Sequence, residues 1–242
     1  MRSASSTIAD KPVLSVRGLS KSFTLHTQGG ITIEAFSGMD LDLWKGECLA
    51  LHGPSGAGKS TLLRSLYANY KPCAGSILVN CGSRPVDMAT ASPRTVLSVR
   101  HSAMGYVSQF LRVIPRVSSL DIVAEQLTAH GEDERSAREK AGELLARLRI
   151  PKRLWELAPA TFSGGEQQRV NIARGFIHCY PVMLLDEPTA SLDAANRETV
   201  VAMIKEAKAA GTAVVGIFHD ETVRCAVADR VYELRPRDAR AE

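Results

Sequence analysis

The sequence predicts an α/β fold built on a parallel sheet, for three reasons. The apolar runs Val182–Leu185 and Ala213–Phe218 are separated by a helically spaced segment, Ala194–Ala210, and a strand–helix–strand unit joins parallel neighbours. The run Cys48–Leu51 is continuously apolar, which is typical of a strand covered on both faces. With 242 residues, of which 45% are apolar and 23% charged, the chain can bury a core of ordinary size.

The N-terminal part of the chain is predicted to contain short strands. Apolar runs at 13–16, 31–35 and 41–43 are separated by breaks that contain Gly29-Gly30 and Lys45-Gly46. Glycine-containing breaks between such runs indicate turns. Residues 1–12 lack an apolar segment of signal-peptide length and are predicted to be a disordered lead-in.

The middle of the chain is predicted to be a helical insertion. Val117–His130 and Glu132–Arg149 have helical spacing and are rich in Ala, Glu and Arg. Gly131 and Pro151 mark the ends of these two segments, since both residue types commonly follow a helix.

Composition narrows the class of protein. No apolar run approaches the roughly 18 to 20 residues that span a bilayer, so we expect no direct membrane insertion. The net charge of +4 is too small to indicate a nucleic-acid surface, and no nucleic acid is expected as a partner. The cysteines are odd in number and form no CxxC pair, which favours reduced thiols and a cytoplasmic protein; they are Cys48, Cys73, Cys81, Cys179 and Cys225.

A phosphate-binding loop follows the strand at Cys48–Leu51. Residues 53–61 match G-x-x-x-x-G-K-[ST], directly before a helical run at Thr61–Tyr67. Glycines allow successive backbone N–H groups to point at a phosphate, and the following helix adds partial positive charge. Lys59 is expected to reach the β- and γ-phosphates of a nucleotide, and the Ser60 hydroxyl to bind Mg²⁺. The nucleotide-binding residues are therefore Gly53, Pro54, Ser55, Gly56, Ala57, Gly58, Lys59, Ser60 and Thr61.

Two further strands end in side chains suited to hydrolysis. Val182–Leu185 runs directly into Asp186 and Glu187, at the edge where an open parallel sheet binds ligands. Asp186 is expected to be the carboxylate partner of Mg²⁺, and Glu187 to polarise a water for attack on the γ-phosphate. His219 follows Ala213–Phe218, and a neutral imidazole there can donate a hydrogen bond to that phosphate.

With these motifs the sequence resembles the ABC ATPases over essentially 13–234. The deciding segment is Phe162–Arg169, which is similar to the family signature LSGGQ. The resemblance implies a P-loop NTPase (RecA-like) parallel core, an N-terminal antiparallel β sub-domain and an inserted α-helical sub-domain. A single domain would cover 13–236, with 13–110 and 162–236 as catalytic core and β sub-domain, 111–161 as helical sub-domain and 237–242 as a tail.

The resemblance also implies roles for residues outside the loop. The signature residues would face the γ-phosphate held by an opposite protomer, a second copy or a paralogous ABC ATPase; they are Ser163, Gly164, Gly165 and Glu166, the last replacing the usual Gln. Gln109 matches the Q-loop glutamine, a catalytic residue and metal ligand beside Ser60 and Asp186. Ser191 and Asp193 match the D-loop at the dimer interface. Phe23 matches the aromatic residue that stacks on adenine.

Three uses of ATP hydrolysis remain open at this point. They are a membrane-transporter motor, a subunit of a soluble enzyme complex, and a clamp on nucleic acid. The clamp is the least favoured, because such ABC proteins carry long insertions for which 242 residues leave no room. Four segments resemble the L-type ATP-binding subunit of the bacterial carbon–phosphorus lyase system: Leu62–Tyr70, Val107–Arg116, Arg153–Pro159 and Gly216–Glu221.

This resemblance implies an accessory ATPase for phosphonate degradation, in the ribose 1-methylphosphonate 5-triphosphate synthase system. That system joins a phosphonate to the ribose of ATP with loss of adenine, and its core complex would be the partner. The segment Phe110–Arg116 is expected to carry the partner surface, because Arg112, Pro115 and Arg116 follow Gln109 and a conformational shift there could reach them. An ordinary basic loop is the alternative for this segment. The alternative for the whole chain is the nucleotide-binding subunit of an ABC membrane transporter.

Overall fold

A computed structural model of the chain describes residues 11–25, 30–80, 82, 84–111 and 115–234. Positions 1–10 of the predicted lead-in, the predicted tail at 237–242 and Arg112 lie outside the described residues. The strands are β1 (Leu14–Leu25), β2 (Ile31–Leu43), β3 (Cys48–His52), β4 (Ala74–Val79), β5 (Val86–Asp87), β6 (Met104–Val107), β7 (Val182–Asp186), β8 (Ala213–Ile217) and β9 (Arg230–Glu233). The α-helices are α1 (Lys59–Leu66), α2 (Pro93–Ser102), α3 (Ser119–Thr128), α4 (Glu134–Arg147), α5 (Gly164–Phe176), α6 (Ala194–Ala209) and α7 (Glu221–Val227).

The first sheet is antiparallel and has the strand order β2-β1-β4-β5. The prediction of separate short strands at 31–35 and 41–43 is wrong, because both runs belong to the single strand β2. The pairing of β1 with β2 shifts register at several points, and Gly18 and Gly38 have φ values of +57° and +60°. Bulges of this kind interrupt the apolar alternation while the strand itself continues.

The second sheet is parallel, with the strand order β6-β7-β8-β3-β9. Consecutive residues of its central strands contact different cores, so both faces are covered. In β7, for example, Met183 and Leu185 pack in one core while Val182 and Leu184 pack in the other. This double coverage explains the continuous apolar runs of the sequence. The architecture confirms the predicted α/β class, and it brings the carboxyl ends of β3, β7 and β8 to one edge.

Helices α3 and α4 lie between the two parts of the chain that form the parallel sheet, and they pack on each other and on α5. Ser118 caps α3 and Asp133 caps α4, so both helices begin where their orphan backbone N–H groups find an acceptor. Gly142 allows close packing, since a Cβ there would lie 2.8 Å from the Trp155 ring. Short 3₁₀ turns at Lys152–Leu154 and Pro159–Thr161 lead into α5.

Some elements were not predicted. Strands β4, β5 and β9 and helix α2 lie in stretches with weak apolar periodicity, and β9 is exposed at three of its four positions. Among the described residues, no helix combines the length and the apolar character that crossing a bilayer requires.

Candidate functional site: a nucleotide site at the edge of the parallel sheet

The loop between β3 and α1 can be closed only with glycine at two positions. Gly53 has a φ of +143°, and a Cβ there would lie 2.3 Å from the backbone oxygen of Leu234. Gly58 has a φ of +88°, and a Cβ there would lie 2.5 Å from the backbone oxygen of Ala35. These approaches leave no room for a side chain. The loop is thereby fixed against β2 on one side and against the end of β9 on the other.

The side chain of Lys59 turns back over this loop. Its ammonium donates hydrogen bonds to the backbone oxygens of Gly53 at 2.6 Å and of Pro54 at 2.8 Å, and the residue is only 8% exposed. The positive charge is thus held against the loop backbone, where a phosphate-binding role requires it. Of the other predicted nucleotide-binding residues, Ala57 is buried, Thr61 is half-buried, and the tip of the loop, Pro54, Ser55 and Gly56, is exposed.

Asp186, at the end of β7, is fully buried and holds two hydroxyl groups. Its Oδ1 accepts a hydrogen bond from Ser60 Oγ at 2.9 Å, and its Oδ2 accepts one from the Tyr106 hydroxyl at 3.2 Å. Burial raises the pKa of Asp186, and these two hydrogen bonds act against the rise because they favour the carboxylate. Burial and the nearby Asp186 charge raise the pKa of Tyr106, so its hydroxyl stays protonated and acts as the donor.

The three residues predicted to be catalytic converge on one carboxylate. Glu187 Oε1 lies 2.7 Å from His219 Nε2, and Glu187 Oε2 accepts a hydrogen bond from Gln109 Nε2 at 3.1 Å. Glu187 itself has a φ of +54°, a left-handed conformation that is rare outside glycine and that recurs at functional sites. The side chains therefore come from β6, β7 and β8 to a single point.

The chemistry of Ser60 and Asp186 fits Mg²⁺, a hard cation that takes oxygen ligands. Their Oγ and Oδ1 atoms lie 2.9 Å apart, beside the ammonium-bearing loop. Gln109 is bonded through its nitrogen to Glu187, and within the described residues no hydrogen bond joins it to Ser60 or Asp186. Its predicted role as a metal ligand stays a prediction.

The signature segment forms the start of α5. Ser163 is the N-cap of this helix and forms a capping box with Glu166: Ser163 Oγ accepts from the Glu166 N–H at 3.3 Å, and the Ser163 N–H donates to the Glu166 carboxylate at 2.9 Å. The Ser163 hydroxyl also donates to this carboxylate, at 2.7 Å. Gly165 packs on the predicted D-loop, since a Cβ there would lie 3.0 Å from the backbone oxygen of Ser191. Asp193 caps α6. Within the described chain, no hydrogen bond or ion pair joins the signature residues to the loop at 53–61.

Phe23 lies near the end of β1, and its ring is half-buried. Tyr70 packs edge-on against it, with ring centroids 5.3 Å apart, and the Lys21 ammonium lies 4.7 Å from the ring centroid. Phe23 thus has one edge-on aromatic neighbour and one cation–π contact. Its predicted stacking on adenine is untested by these contacts and stays a prediction.

Sequence reasoning missed Tyr106, the second hydroxyl on Asp186. It lies in β6, three positions before Gln109, in a strand to which the sequence assigned no site residue. A signal was present, since a tyrosine in a buried parallel strand needs a hydrogen-bond partner for its hydroxyl. The identity of that partner requires the pairing of β6 with β7, which places Tyr106 opposite Leu184 and within reach of Asp186.

The comparison with protein families decides the assignment. Residues 36–190 match the family model described as ABC transporter. The chain belongs to the ABC transporter ATPase family. It is therefore an ATP-binding domain of the kind that hydrolyses ATP, and the predicted fold and the resemblance to ABC ATPases are confirmed.

Curated relatives of this ABC ATPase cover most of its length. The lipoprotein-releasing system ATP-binding protein LolD of Shewanella sp. strain MR-7 is 39% identical over 209 residues, which are 86% of this chain and 87% of that protein. The lipoprotein-releasing system ATP-binding protein LolD 2 of Caulobacter vibrioides is 39% identical over 226 residues, 93% of this chain and 95% of that protein. These relatives support the transporter alternative, and they give no support to a subunit of a carbon–phosphorus lyase.

A solved structure of an ATP-binding cassette resembles this ABC ATPase closely. The dimeric post-hydrolysis state of the cassette MJ0796, bound to ADP and Pi, has a TM-score of 0.82 and 27% sequence identity. The match covers 91% of this chain and 94% of that one. A cbiO1 protein from Clostridium perfringens, part of the ABC transporter complex cbiONQ, matches with a TM-score of 0.70 and 26% identity.

Proposed function

We propose that this chain is the ATP-hydrolysing motor subunit of an ABC membrane transporter, and that it works in a pair of ATPase protomers. The observation that carries the proposal is the convergence of Ser60, Asp186 and Glu187 at the edge of the parallel sheet, beside the lysine-bearing loop. Asp186 and Glu187 lie at the carboxyl end of β7, and Ser60 lies in the first turn of α1, which follows the loop after β3. An open α/β sheet binds its ligand at this edge.

In the proposed reaction the loop at 53–61 holds the phosphates of ATP. Its backbone N–H groups and the Lys59 ammonium neutralise the charge, and the N-terminus of α1 adds to the field. Ser60 and Asp186 would hold Mg²⁺, which supplies charge neutralisation at the phosphate oxygens. Phe23 would stack on the adenine.

Hydrolysis would proceed on the γ-phosphate side of this site. Glu187 orients a water and accepts its proton. His219 Nε2 holds the Glu187 carboxylate before the nucleotide binds, and because a neutral imidazole has a single N–H, its hydrogen bond to the phosphate would replace the one to Glu187. Gln109 positions Glu187 from the other side, through the hydrogen bond of 3.1 Å. Most of the rate enhancement would come from positioning and charge stabilisation.

A second protomer is needed to complete the proposed site. Ser163 and the first turn of α5 form a helix start suited to an anion, and within the described chain no hydrogen bond joins it to the loop at 53–61. We infer that this start, Gly164 and Gly165 included, covers the γ-phosphate bound to the partner, with Ser191 and Asp193 near the interface. The dimeric cassette that resembles this chain supports the pair. The partner is a second copy or a paralogous subunit.

For the partner that uses the ATP energy, the named relatives favour transporter subunits of a lipoprotein-releasing type. One observation favours a second candidate, a carbon–phosphorus lyase complex. The four segments that resemble its L-type subunit extend beyond the shared ATPase residues Gln109 and His219 to positions that flank the motifs. One of these segments carries Phe110, which is 74% exposed and follows Gln109 directly. An exposed aromatic residue next to the catalytic edge is suited to a protein partner.

Nucleotide binding and co-purification together test these proposals. Lys59→Ala should raise the dissociation constant of ATP at least tenfold in a titration. Lys205 is an exposed residue of α6, and Lys205→Ala should leave this constant unchanged. Equal affinities in both variants would refute the nucleotide site. Mass spectrometry of proteins that co-purify from native cells separates the partners: integral membrane proteins support the transporter, and soluble phosphonate-metabolising subunits support the lyase complex.

The surface near Phe110 has its own test. Arg116→Glu reverses an exposed charge there and should weaken co-purification while basal ATP hydrolysis persists. Arg135→Glu, an exposed charge on α4, is the matched control. Unchanged co-purification of Arg116→Glu would remove this segment from the partner surface.

A further inference from the structure

Tyr106 lines a cavity of about 590 Å³ that Gln109 also lines. Its hydroxyl donates to Asp186, so this residue contacts both the cavity and the nucleotide site. Nothing in the proposed hydrolysis uses this residue. It is nevertheless hydrogen-bonded directly to the carboxylate that is expected to hold Mg²⁺.

The ring of Tyr106 is held in place by stacking. It lies against the Tyr67 ring, with centroids 5.0 Å apart and an interplanar angle of 27°. The Arg100 guanidinium covers Tyr67 at 4.3 Å and donates hydrogen bonds to the Tyr67 backbone oxygen. The ring therefore has a fixed orientation, and so does the hydroxyl that it carries.

The direction of the hydrogen bond at this hydroxyl follows from its partner. A carboxylate can only accept, so the Tyr106 hydroxyl directs its proton to Asp186 Oδ2, at 3.2 Å. The Arg64 guanidinium, which donates to the Tyr70 hydroxyl at 3.1 Å, lowers the pKa of Tyr106 and acts against the larger effects of burial and of the Asp186 charge.

We propose that Tyr106 is a positioning residue, whose hydroxyl fixes the carboxylate plane of Asp186 so that Oδ1 faces Ser60 and Mg²⁺. The terminal torsion of an aspartate is broad, so one hydrogen bond leaves the plane poorly defined. Two hydrogen bonds on opposite oxygens, from Ser60 and from Tyr106, define it. Partners of a metal ligand typically affect metal affinity in this way. The inference rests on the proposed nucleotide site.

The test compares Tyr106→Phe with Tyr67→Phe. Both changes remove one hydroxyl and keep the stacked rings, but within the described chain the Tyr67 hydroxyl makes no hydrogen bond. ATP affinity is measured first without divalent cations, and then the affinity of the ATP complex for Mn²⁺ by electron paramagnetic resonance. We expect Tyr106→Phe to weaken Mn²⁺ binding by about tenfold or more. Its ATP affinity without metal should equal that of the unsubstituted chain, which also shows that it is folded.

The outcomes separate the two proposals. Equal Mn²⁺ affinity in Tyr106→Phe and the unsubstituted chain would overturn the positioning role alone. An equal loss in both Phe variants would also overturn it, since it would assign the effect to the ring stack. Failure of the unsubstituted chain to bind ATP would overturn the nucleotide site and, with it, this inference. A raised Mg²⁺ requirement for hydrolysis, with an unchanged KM for ATP at saturating Mg²⁺, would support it further.

Discussion

Glu187 and His219 are joined by a hydrogen bond of 2.7 Å between Oε1 and Nε2, although 32 positions separate them in the chain. The parallel pairing of β7 with β8 brings them together, because each residue lies just beyond the carboxyl end of its strand. The side chain of Glu187 is 17% exposed and that of His219 is 53% exposed. The carboxylate is therefore held from the solvent side by a group that is itself accessible to a ligand.

Glu187→Gln should abolish most hydrolysis and preserve ATP binding, since the amide keeps the shape but cannot accept a proton from water. General-base assistance is typically worth about 10²- to 10⁴-fold in rate, so turnover should fall by at least about 100-fold. The ATP-bound pair should then accumulate and elute as a dimer on size-exclusion chromatography. Glu198→Gln, on the exposed side of α6, is the control. Normal turnover in Glu187→Gln would contradict the base assignment.

Glu166→Gln should promote the ATP-dependent pairing of two chains. The Glu166 carboxylate accepts hydrogen bonds from the hydroxyl and the backbone N–H of Ser163. Ser163 is the residue that is proposed to bind the γ-phosphate held by the partner. These hydrogen bonds lower the pKa of Glu166, so it carries its full charge at neutral pH. Glutamine can also form a capping box, but it does not repel a phosphate.

Two measurements check the Glu166 prediction. The ATP concentration at half-maximal dimerisation should fall in Glu166→Gln, and the difference should shrink in high salt because the repulsion is screened. The melting temperature of the single chain should fall slightly, since a carboxylate in the first turn stabilises a helix by about 0.3 to 1 kcal/mol. A higher ATP requirement in the variant would show that the charge assists pairing.

The sequence contained enough to predict the ends of β3, β7 and β8, because the motif residues directly follow apolar runs. It gave no information on the pairing of β6 with β7, and so the hydrogen bond from the Tyr106 hydroxyl to Asp186 could not be predicted. The continuity of β2 was missed for a different reason. Its bulges at positions near Gly38 break the alternation on which the prediction of strands depends.

For the signature segment, too, the local structure could be predicted from the sequence and the tertiary contact could not. A helix start at Ser163 could be predicted from its residue types, and so could the reciprocal cap with Glu166. The contact of Gly165 with the backbone of Ser191 links segments that are 26 positions apart, and it depends on how α5 packs beside the loop that follows β7. Local sequence rules carry no information on such packing.

The backbone of the phosphate-binding loop gives a prediction on stability. Gly56→Ala and Gly58→Ala place a methyl group at similar φ values of +83° and +88°. A left-handed conformation costs an alanine about 1 to 2 kcal/mol in either case. The Cβ at Gly56 meets nothing within 4 Å, but the Cβ at Gly58 would lie 2.5 Å from the Ala35 backbone oxygen. Gly58→Ala should therefore lower the free energy of unfolding by clearly more than Gly56→Ala.

Urea denaturation of both variants without nucleotide measures this difference directly. Because the two substitutions share residue type and backbone conformation, the gap between them reports the contact with β2. Equal free energies of unfolding would mean that the loop can move away from Ala35 at little cost, and the loop would then not be fixed by β2.

A stack of three histidines should make the stability of the chain depend on pH. His130 lies between His101 and His178, with ring centroids 4.1 and 3.7 Å away, and Tyr180 packs edge-on against His178. Burial lowers the pKa of His178, and the neighbouring His130 and His101 lower it further, because a second positive charge in the stack is unfavourable.

Because the pKa of His178 is lowered in the folded chain, the chain should lose stability as the pH falls. The pKa of a histidine in an unfolded chain is about 6.5. Below that pH the unfolded chain binds a proton at position 178 that the folded chain does not bind. The contribution of His178 is fully present above pH about 6.5 and is lost as the pH falls towards its lowered folded value. His178→Asn cannot be protonated, and its melting temperature should therefore fall less than that of the unsubstituted chain between pH 7.5 and 5.5. An equal fall in melting temperature for both chains between pH 7.5 and 5.5 would contradict the lowered pKa of His178, and a constant offset between the two chains would then assign His178 to packing alone.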